Sequence, residues 1–255
     1  MIVANIGATD FTGILMYQKA YREHDMLAKF ITKQFGKKMF IVRGAKRQNF
    51  KNRAAVLPFT YGTFNGVIKE EGLSYFNSGN TVSHYQQISD DIEINAYATY
   101  VMSLIDFAFP DSVQIPEWFE KLSLGLALMN DGFDASIITN IFEIQLLEAF
   151  GVAPNWVDCV VCHRQDLPFD YSESMGGLLC SNHWDQDEYR LHLDQRTIYY
   201  LRLFSVVDFR KLNKIDVNAD TKSKLRQVID QIYTRSVGYV PKSKKFLDQL
   251  SNFKL

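Results

Sequence analysis

Three cysteines and one histidine have a spacing that is typical of a zinc site. Two residues separate Cys159 from Cys162, and two residues separate Cys180 from His183. A two-residue gap lets two side chains of one tight turn converge on the same ion, and two such turns supply four tetrahedral ligands. The pattern therefore predicts one Zn²⁺ ion held by Cys159, Cys162, Cys180 and His183.

Other interpretations of these residues remain open. A Cys-x2-Cys pair can be a redox motif, but the flanking sequence lacks the βαβ pattern of thioredoxin-like proteins. Three buried free thiols would leave the paired spacing unexplained. His163 is an alternative fourth ligand, weaker than His183. Four protein ligands leave no open position for a water, so we expect a structural rather than a catalytic zinc.

Beside this metal site, the sequence offers no motif for catalysis. It contains no Gly-x-Gly-x-x-Gly, Walker A or Gly-x-Ser-x-Gly pattern, so nucleotide hydrolysis and serine-hydrolase chemistry lack support. The zinc deaminase signature, His-x-Glu ahead of Pro-Cys-x-x-Cys, is also absent. We therefore expect a protein that is not an enzyme. An enzyme with an unrecognised cleft stays open as an alternative.

Charge is distributed very unevenly along the chain. The 28 basic and 29 acidic residues give a net charge of −1, which taken alone argues against a nucleic-acid partner. In blocks, however, residues 1–80 carry +7, 81–158 carry −11, 159–200 carry −4 and 201–255 carry +7. Because net charge hides such a distribution, the basic ends allow a polyanionic partner.

The most basic segment runs from Gly36 to Ile68 and contains seven basic residues and no acidic one. The seven are Lys37, Lys38, Arg43, Lys46, Arg47, Lys51 and Arg53. Phe40, Phe50 and Tyr61 are close to them in sequence, and proteins that bind single strands combine a basic groove with aromatic faces. The segment predicts a nucleic-acid surface. The alternatives are a solvated loop that packs against residues 81–158, and aromatics that belong to the core.

Short apolar runs and glycine-rich turns indicate β structure in residues 1–80. Strands are predicted over 11–17, 26–32, 38–42, 54–57, 63–68 and 73–76. Gly36 suits the hairpin turn between two of them, although residues 26–35 also fit a short amphipathic helix. Five or so short strands in 80 residues suggest a small barrel.

From residue 89 onwards the apolar residues recur at helical spacing. Helices are predicted to start at or just after Ser89, Pro116, Asp134, Asp194, Thr221 and Pro241. The predicted order is a β barrel (1–80), a helical domain (81–158), a cysteine-bearing insert (159–185) and C-terminal helices that pack with the helical domain (186–255). No apolar run is long enough for a membrane span, and the N-terminal residues have no secretion pattern.

Several short motifs resemble, in order and spacing, the bacterial recombination mediator family RecO over nearly the whole chain. The motifs are YREHD (21–25), FIVRGAKR (40–47), LPF (57–59), NIFEIQ (140–145), FG (150–151), CVVCH (159–163), LLC (178–180) and KSKKF (242–246). The resemblance implies an α+β fold, with an N-terminal OB-fold β-barrel followed by an α-helical domain with an inserted zinc finger.

The same resemblance implies a function in DNA repair and homologous recombination. Members bind single- and double-stranded DNA, anneal complementary strands, form a complex with RecR, and contact the acidic C-terminal tail of the single-strand binding protein SSB. They thereby help to load RecA onto SSB-coated DNA, so the expected location is cytoplasmic and nucleoid-associated. Many zinc-containing relatives hold the ion with four cysteines, and in this chain His183 takes the place of the fourth.

The partner contact and the choice of nucleic acid are less closely defined. Lys242, Lys244 and Lys245 are candidates for contact with the acidic tail. An alternative function is that of a zinc-containing OB-fold protein that binds RNA or acts as a transcription adaptor.

Overall fold

The structure, a computed structural model, describes residues 5–213 and 215–253. Its N-terminal part is a closed barrel with the strand order β1-β2-β3-β5-β4, in which β1 pairs with both β2 and β4. The strands are β1 (Asn5–Tyr21), β2 (Asp25–Thr32), β3 (Gly36–Val42), β4 (Thr60–Lys69) and β5 (Ser74–His84). Among the described strands of the barrel, β3 and β5 pair in parallel and the other pairs are antiparallel. This five-stranded arrangement confirms the predicted OB-type barrel.

Phenylalanine rings fill the interior of the barrel. The ring of Phe11 is stacked on that of Phe40, with their centroids 4.9 Å apart. Phe30 lies edge-on to both, with centroid distances of 5.8 Å to Phe11 and 5.3 Å to Phe40. Alternate residues of each strand point inward, so these rings meet at the centre. Phe40 is therefore a core residue and offers no face to a ligand.

One predicted strand of the barrel is wrong. Residues 54–57 do not pair with a strand, because Ala54–Val56 forms a single 3-10 turn with local backbone bonds. The Thr60 hydroxyl donates to the carbonyl oxygens of Ala54 and Leu57, at 3.1 and 2.7 Å, and so closes the turn. Residues 26–32, by contrast, form a strand and not a helix, because each of them pairs with β3 or β1.

Three helices follow the barrel: α1 (Gln86–Asp90), α2 (Ile92–Ala108) and α3 (Pro116–Asn130). Asp91 caps α2, since its carboxylate accepts the N–H groups of Glu93 and Ile94. The helix start predicted at Ser89 is therefore displaced, and Ser89 lies inside the short α1. Pro116 occupies the first turn of α3 as predicted.

The C-terminal half combines helices with a small sheet. The helices are α4 (Ala135–Ala149), α5 (Gln195–Val206), α6 (Ala219–Ile232) and α7 (Lys242–Phe253). The sheet has the order β6-β8-β7, with β6 (Asn155–Cys159), β7 (Phe169–Ser172) and β8 (Gly177–Cys180). Helices α4 and α5 begin directly after Asp134 and Asp194 as predicted, and each of these aspartates caps its helix. Within the described ranges, no helix is long and apolar enough to cross a bilayer.

The described chain groups into two compact units, Met1–Gly132 and Phe133–Leu255. Helices α1 to α3 thus belong with the barrel, and the cysteine-bearing sheet belongs with α4 to α7. The division into 1–80, 81–158, 159–185 and 186–255 stays a prediction about smaller folding segments.

Candidate metal centre and nucleic-acid interface

Tight turns on the small sheet bring the four predicted metal ligands together. Cys159 ends β6 and Cys180 ends β8, and these two strands pair in parallel. A turn after Cys159 is closed by the N–H of His163, which donates to the Cys159 carbonyl at 2.9 Å. His183 lies in the 3-10 turn Ser181–Gln186, directly after β8. The pair Cys159 and Cys162 therefore lies next to the pair Cys180 and His183 at the end of the sheet.

Two adjacent glycines allow β8 to lie close to β6. Gly176 has a φ of 67°, which favours glycine. A Cβ at Gly177 would lie 2.7 Å from the Val160 side chain and 2.9 Å from the Asn155 carbonyl oxygen. A tight turn thus precedes β8, and it needs glycine for conformation at position 176 and for space at position 177.

The four donor atoms have the separations of a tetrahedral site. All lie within 4.8 Å of one another. The Sγ atoms of Cys162 and Cys180 are 3.7 Å apart, and His183 Nδ1 is 3.6 Å from Cys159 Sγ and 3.2 Å from Cys180 Sγ. Ligands at about 2.3 Å (sulfur) and 2.0 Å (nitrogen) from a tetrahedral ion lie roughly 3.5–3.8 Å apart. The cluster can therefore hold a metal ion, and its donors fit zinc.

The protein itself favours a thiolate at this cluster. Burial raises the pKa of the Cys159 thiol, but backbone N–H groups, that of Cys180 foremost, donate to its sulfur and bring the pKa down to about 6. All three cysteines are free. His163 is outside the cluster: its side chain is 74% exposed, and its Nδ1 is 3.5 Å from Asp158 Oδ1. Of the two candidate histidines, only His183 faces the three sulfurs.

Five of the seven predicted DNA-binding residues have exposed side chains. These are Arg43, Lys46, Arg47, Lys51 and Arg53. They lie at the end of β3 and in the loop that follows it, over residues 43–53. In this basic loop the N–H of Gly44 donates to the Asp25 carboxylate at 2.8 Å, and the Asn52 amide donates to the Asn77 carbonyl at 3.3 Å. The barrel thus anchors the loop while the charges face solvent.

Lys37 and Lys38 must be removed from the predicted DNA-binding set, because both side chains are buried and already paired. Lys37 is 1% exposed, and its ammonium donates to the Asp106 carboxylate at 2.8 Å. Lys38 is 5% exposed, and it donates to the Lys69 and Glu70 carbonyls and to the Ser112 hydroxyl. Burial accordingly lowers the pKa of Lys38. Both lysines do contact the segment 81–158, through Asp106 and Ser112, but they are buried residues of β3 and not part of a solvated loop.

A buried ion-pair cluster joins α2 to the outer face of the barrel. Lys29 lies 2.8 Å from Asp106 and 2.7 Å from Asp111, and Lys37 shares Asp106. Burial alone would raise the pKa of Asp106, but the hydrogen bonds from both lysines hold it below its usual value of 3.8. Sequence reasoning did not identify Lys29, Asp106 or Asp111, since no local pattern marks partners so distant in the chain.

The aromatic residues near the basic loop have different surroundings. Phe50 is partly buried against the barrel core. Tyr61 stacks on Tyr85 with centroids 4.3 Å apart. Tyr75, which the sequence did not single out, lies next to Arg43 and Lys69. Its position became visible only from the register that puts β5 between β3 and β4.

Of the three C-terminal lysines, Lys242 and Lys245 are exposed. Lys244 is 5% exposed, and it pairs with Asp230 at 3.0 Å and with Asp248. It is therefore a packing residue of α7 and is withdrawn as a partner contact.

Comparison with known proteins gives the same family across nearly the whole chain. Residues 8–85 match the family described as "Recombination protein O N terminal", and residues 89–245 match "Recombination protein O C terminal". A DNA repair protein RecO from Levilactobacillus brevis is 55% identical over 96% of this chain and 94% of its own length. The RecO proteins of Latilactobacillus sakei (50% identical, 96% and 90% covered) and Pediococcus pentosaceus (43%, 98% and 99%) are also similar. The chain belongs to the RecO family of DNA repair and recombination proteins.

Proposed function

We propose that this protein is a non-enzymatic mediator that binds single- and double-stranded DNA and anneals complementary strands. The observation that carries the proposal is the basic loop, whose five exposed cations have no acidic neighbour in the sequence from 36 to 68. Cations on a solvent-facing loop neutralise phosphates without reading bases, so binding is independent of sequence and sensitive to salt. Neutralising two strands at once removes the repulsion that opposes their pairing.

The metal centre has a structural role in this proposal. One Zn²⁺ bound by Cys159, Cys162, Cys180 and His183 would hold the ends of β6 and β8 and the following 3-10 turn in place. All four ligands are protein side chains, so the ion needs no part in any reaction. The donor separations and the lowered thiol pKa of Cys159 support this role.

The proposed partners follow from family membership. The names of the relatives support a DNA repair role. We extend this to a complex with RecR, to contact with the acidic tail of SSB, and indirectly to RecA loading on SSB-coated DNA, with location on the nucleoid. Exposed Lys242 and Lys245 remain candidates for contact with the acidic tail, because both carry unburied positive charge.

The proposal is tested by annealing complementary strands that are first coated with SSB. We expect the protein to accelerate annealing on intact SSB and much less on SSB that lacks its acidic tail. Naked strands serve as a control, since they need no tail contact. Failure to accelerate annealing of naked strands would contradict the DNA-annealing function, whereas equal rates with both SSB forms would contradict only the tail contact.

A further inference from the structure

Tyr75 lies on the outer face of the barrel between two cations. Its chain neighbours Ser74 and Phe76 are buried, so the alternation of the strand turns its half-buried ring outward. The guanidinium carbon of Arg43 is 4.9 Å from the Tyr75 ring centroid, and the Lys69 ammonium is 5.1 Å from it. Both distances lie within the range of cation–π contacts. Arg43 directly follows β3 and Lys69 is the last residue of β4, and these are the two strands that flank β5.

We propose that the Tyr75–Arg43 pair is a stacking platform for one unpaired base of single-stranded DNA, and that Lys69 contacts an adjacent phosphate. This inference rests on the proposed DNA-binding function and adds a site for bases to it. Aromatic rings and guanidinium planes both stack on bases, and every base has such a face. The platform therefore binds without sequence preference. It excludes intact duplex, in which the bases are already stacked.

The platform is continuous with the basic loop. The Asn52 amide of the loop donates to the Asn77 carbonyl, two residues beyond Tyr75 on β5. A strand whose base lies on Tyr75 can therefore continue along the exposed cations of the loop. Further across the same face, Asp10 accepts hydrogen bonds from the Asn65 and Asn80 amides. This carboxylate disfavours phosphates there and so directs the strand toward the loop.

The test compares an oligothymidylate with an abasic strand that has the same number of phosphates. For the unaltered protein we expect the oligothymidylate to bind roughly 5- to 150-fold more tightly, which corresponds to stacking of one base. Tyr75→Leu removes the ring, and Arg43→Lys keeps the charge but removes the plane. Both substitutions should bring the ratio of the two affinities close to one while affinity for the abasic strand changes little.

Two control variants separate stacking from general damage. Tyr75→Phe keeps the ring and should keep the ratio. Tyr61→Leu should keep it too, because Tyr61 stacks on Tyr85 and not on a cation. A thermal melt checks that each variant is folded; Arg43 is exposed, so Arg43→Lys remains informative if Tyr75→Leu does not fold.

The possible failures have different meanings. An unchanged ratio in Tyr75→Leu and Arg43→Lys would overturn the platform. A ratio of one in the unaltered protein, with salt-dependent binding of both strands retained, would overturn the platform alone. Absence of binding to either strand at low salt would overturn the proposed function as well.

Discussion

At the scale of single residues, sequence spacing predicted the site that is formed by residues close together in the chain. The metal ligands come from two turns with two-residue gaps, and the structure brings all four together. The burial of Lys37 was not predictable in the same way, because its partner Asp106 is 69 residues further along the chain. A basic residue looks the same in sequence whether it faces a phosphate or a carboxylate.

The ligand set leads to a prediction about His183. His183→Ala should lose the metal, whereas His183→Cys should retain about one zinc per chain, because a thiolate is an equally good fourth ligand. Metal analysis of protein purified under reducing conditions measures this. His163→Ala is the matched control and should retain the metal. An unaltered protein that purifies without zinc would contradict the assignment.

Removal of the metal should loosen only the region that it holds. Chelation is expected to speed amide hydrogen exchange in residues 156–185 and to leave the barrel strands protected, because the ligands all lie on or beside the small sheet. If chelation speeds exchange equally throughout the chain, or does not speed it in residues 156–185, the metal does not specifically stabilise this segment.

At the scale of elements, helix starts were predictable where the capping residue precedes a long apolar repeat, as with Asp134 and Asp194. The helix start predicted at Ser89 was wrong, because Asp91, two residues later, caps the longer helix α2. Strand pairing and helix packing depend on distant partners. The contact of α2 with the barrel through Asp106 therefore required the structure.

Substitution of Asp106 should destabilise the barrel unit. Asp106→Asn leaves Lys29 and Lys37 with a neutral partner, and we expect a loss of about 2–4 kcal/mol in the free energy of unfolding at neutral pH, since the site is mostly buried. Denaturant unfolding measures the loss. Asp111→Asn should cost less, because the Asp111 side chain is 56% exposed.

The ion pairs of Asp106 also predict how stability depends on pH. The pKa of Asp106 is depressed below 3.8 in the folded protein, so its contribution to stability is present above pH 3.8 and disappears as pH falls through the lower, folded value. The difference between the unaltered protein and Asp106→Asn should shrink over that acidic range. A difference that stays constant there would contradict the ion-pair explanation.

A second buried pair fixes α6 on α4. Glu143 is fully buried, and both of its carboxylate oxygens lie 2.8 Å from the Arg226 guanidinium. Glu143→Gln should cost about 1.5–3 kcal/mol of unfolding free energy, because the two hydrogen bonds from Arg226 lose their charged acceptor. Arg226 itself is 28% exposed and keeps Asp230 at 2.9 Å, which limits the loss. Glu148→Gln, at an exposed position of the same helix, should change stability by less than about 0.5 kcal/mol. Equal effects of the two substitutions in denaturant unfolding would contradict this role.

At the scale of the whole molecule, the net charge of −1 concealed an uneven distribution of charge. Part of the acidic segment 81–158 neutralises barrel lysines through Asp106 and Asp111. The basic loop keeps five cations exposed. The division of charge along the sequence was thus predictable, but which cations remain available for a partner was not, because that depends on folding.

The salt dependence of binding to single-stranded DNA tests the central claim most directly. If the basic loop neutralises about five phosphates, the logarithm of affinity should fall against the logarithm of salt concentration with a slope near −3.5, and Arg43→Glu with Arg47→Glu should weaken binding and flatten the slope by roughly 1.4 or more. Arg210→Glu with Lys211→Glu makes the same change in net charge elsewhere and should leave the slope unchanged. Equal affinities and slopes for the Arg43/Arg47 variant and the unaltered protein would contradict the assignment of DNA binding to this loop.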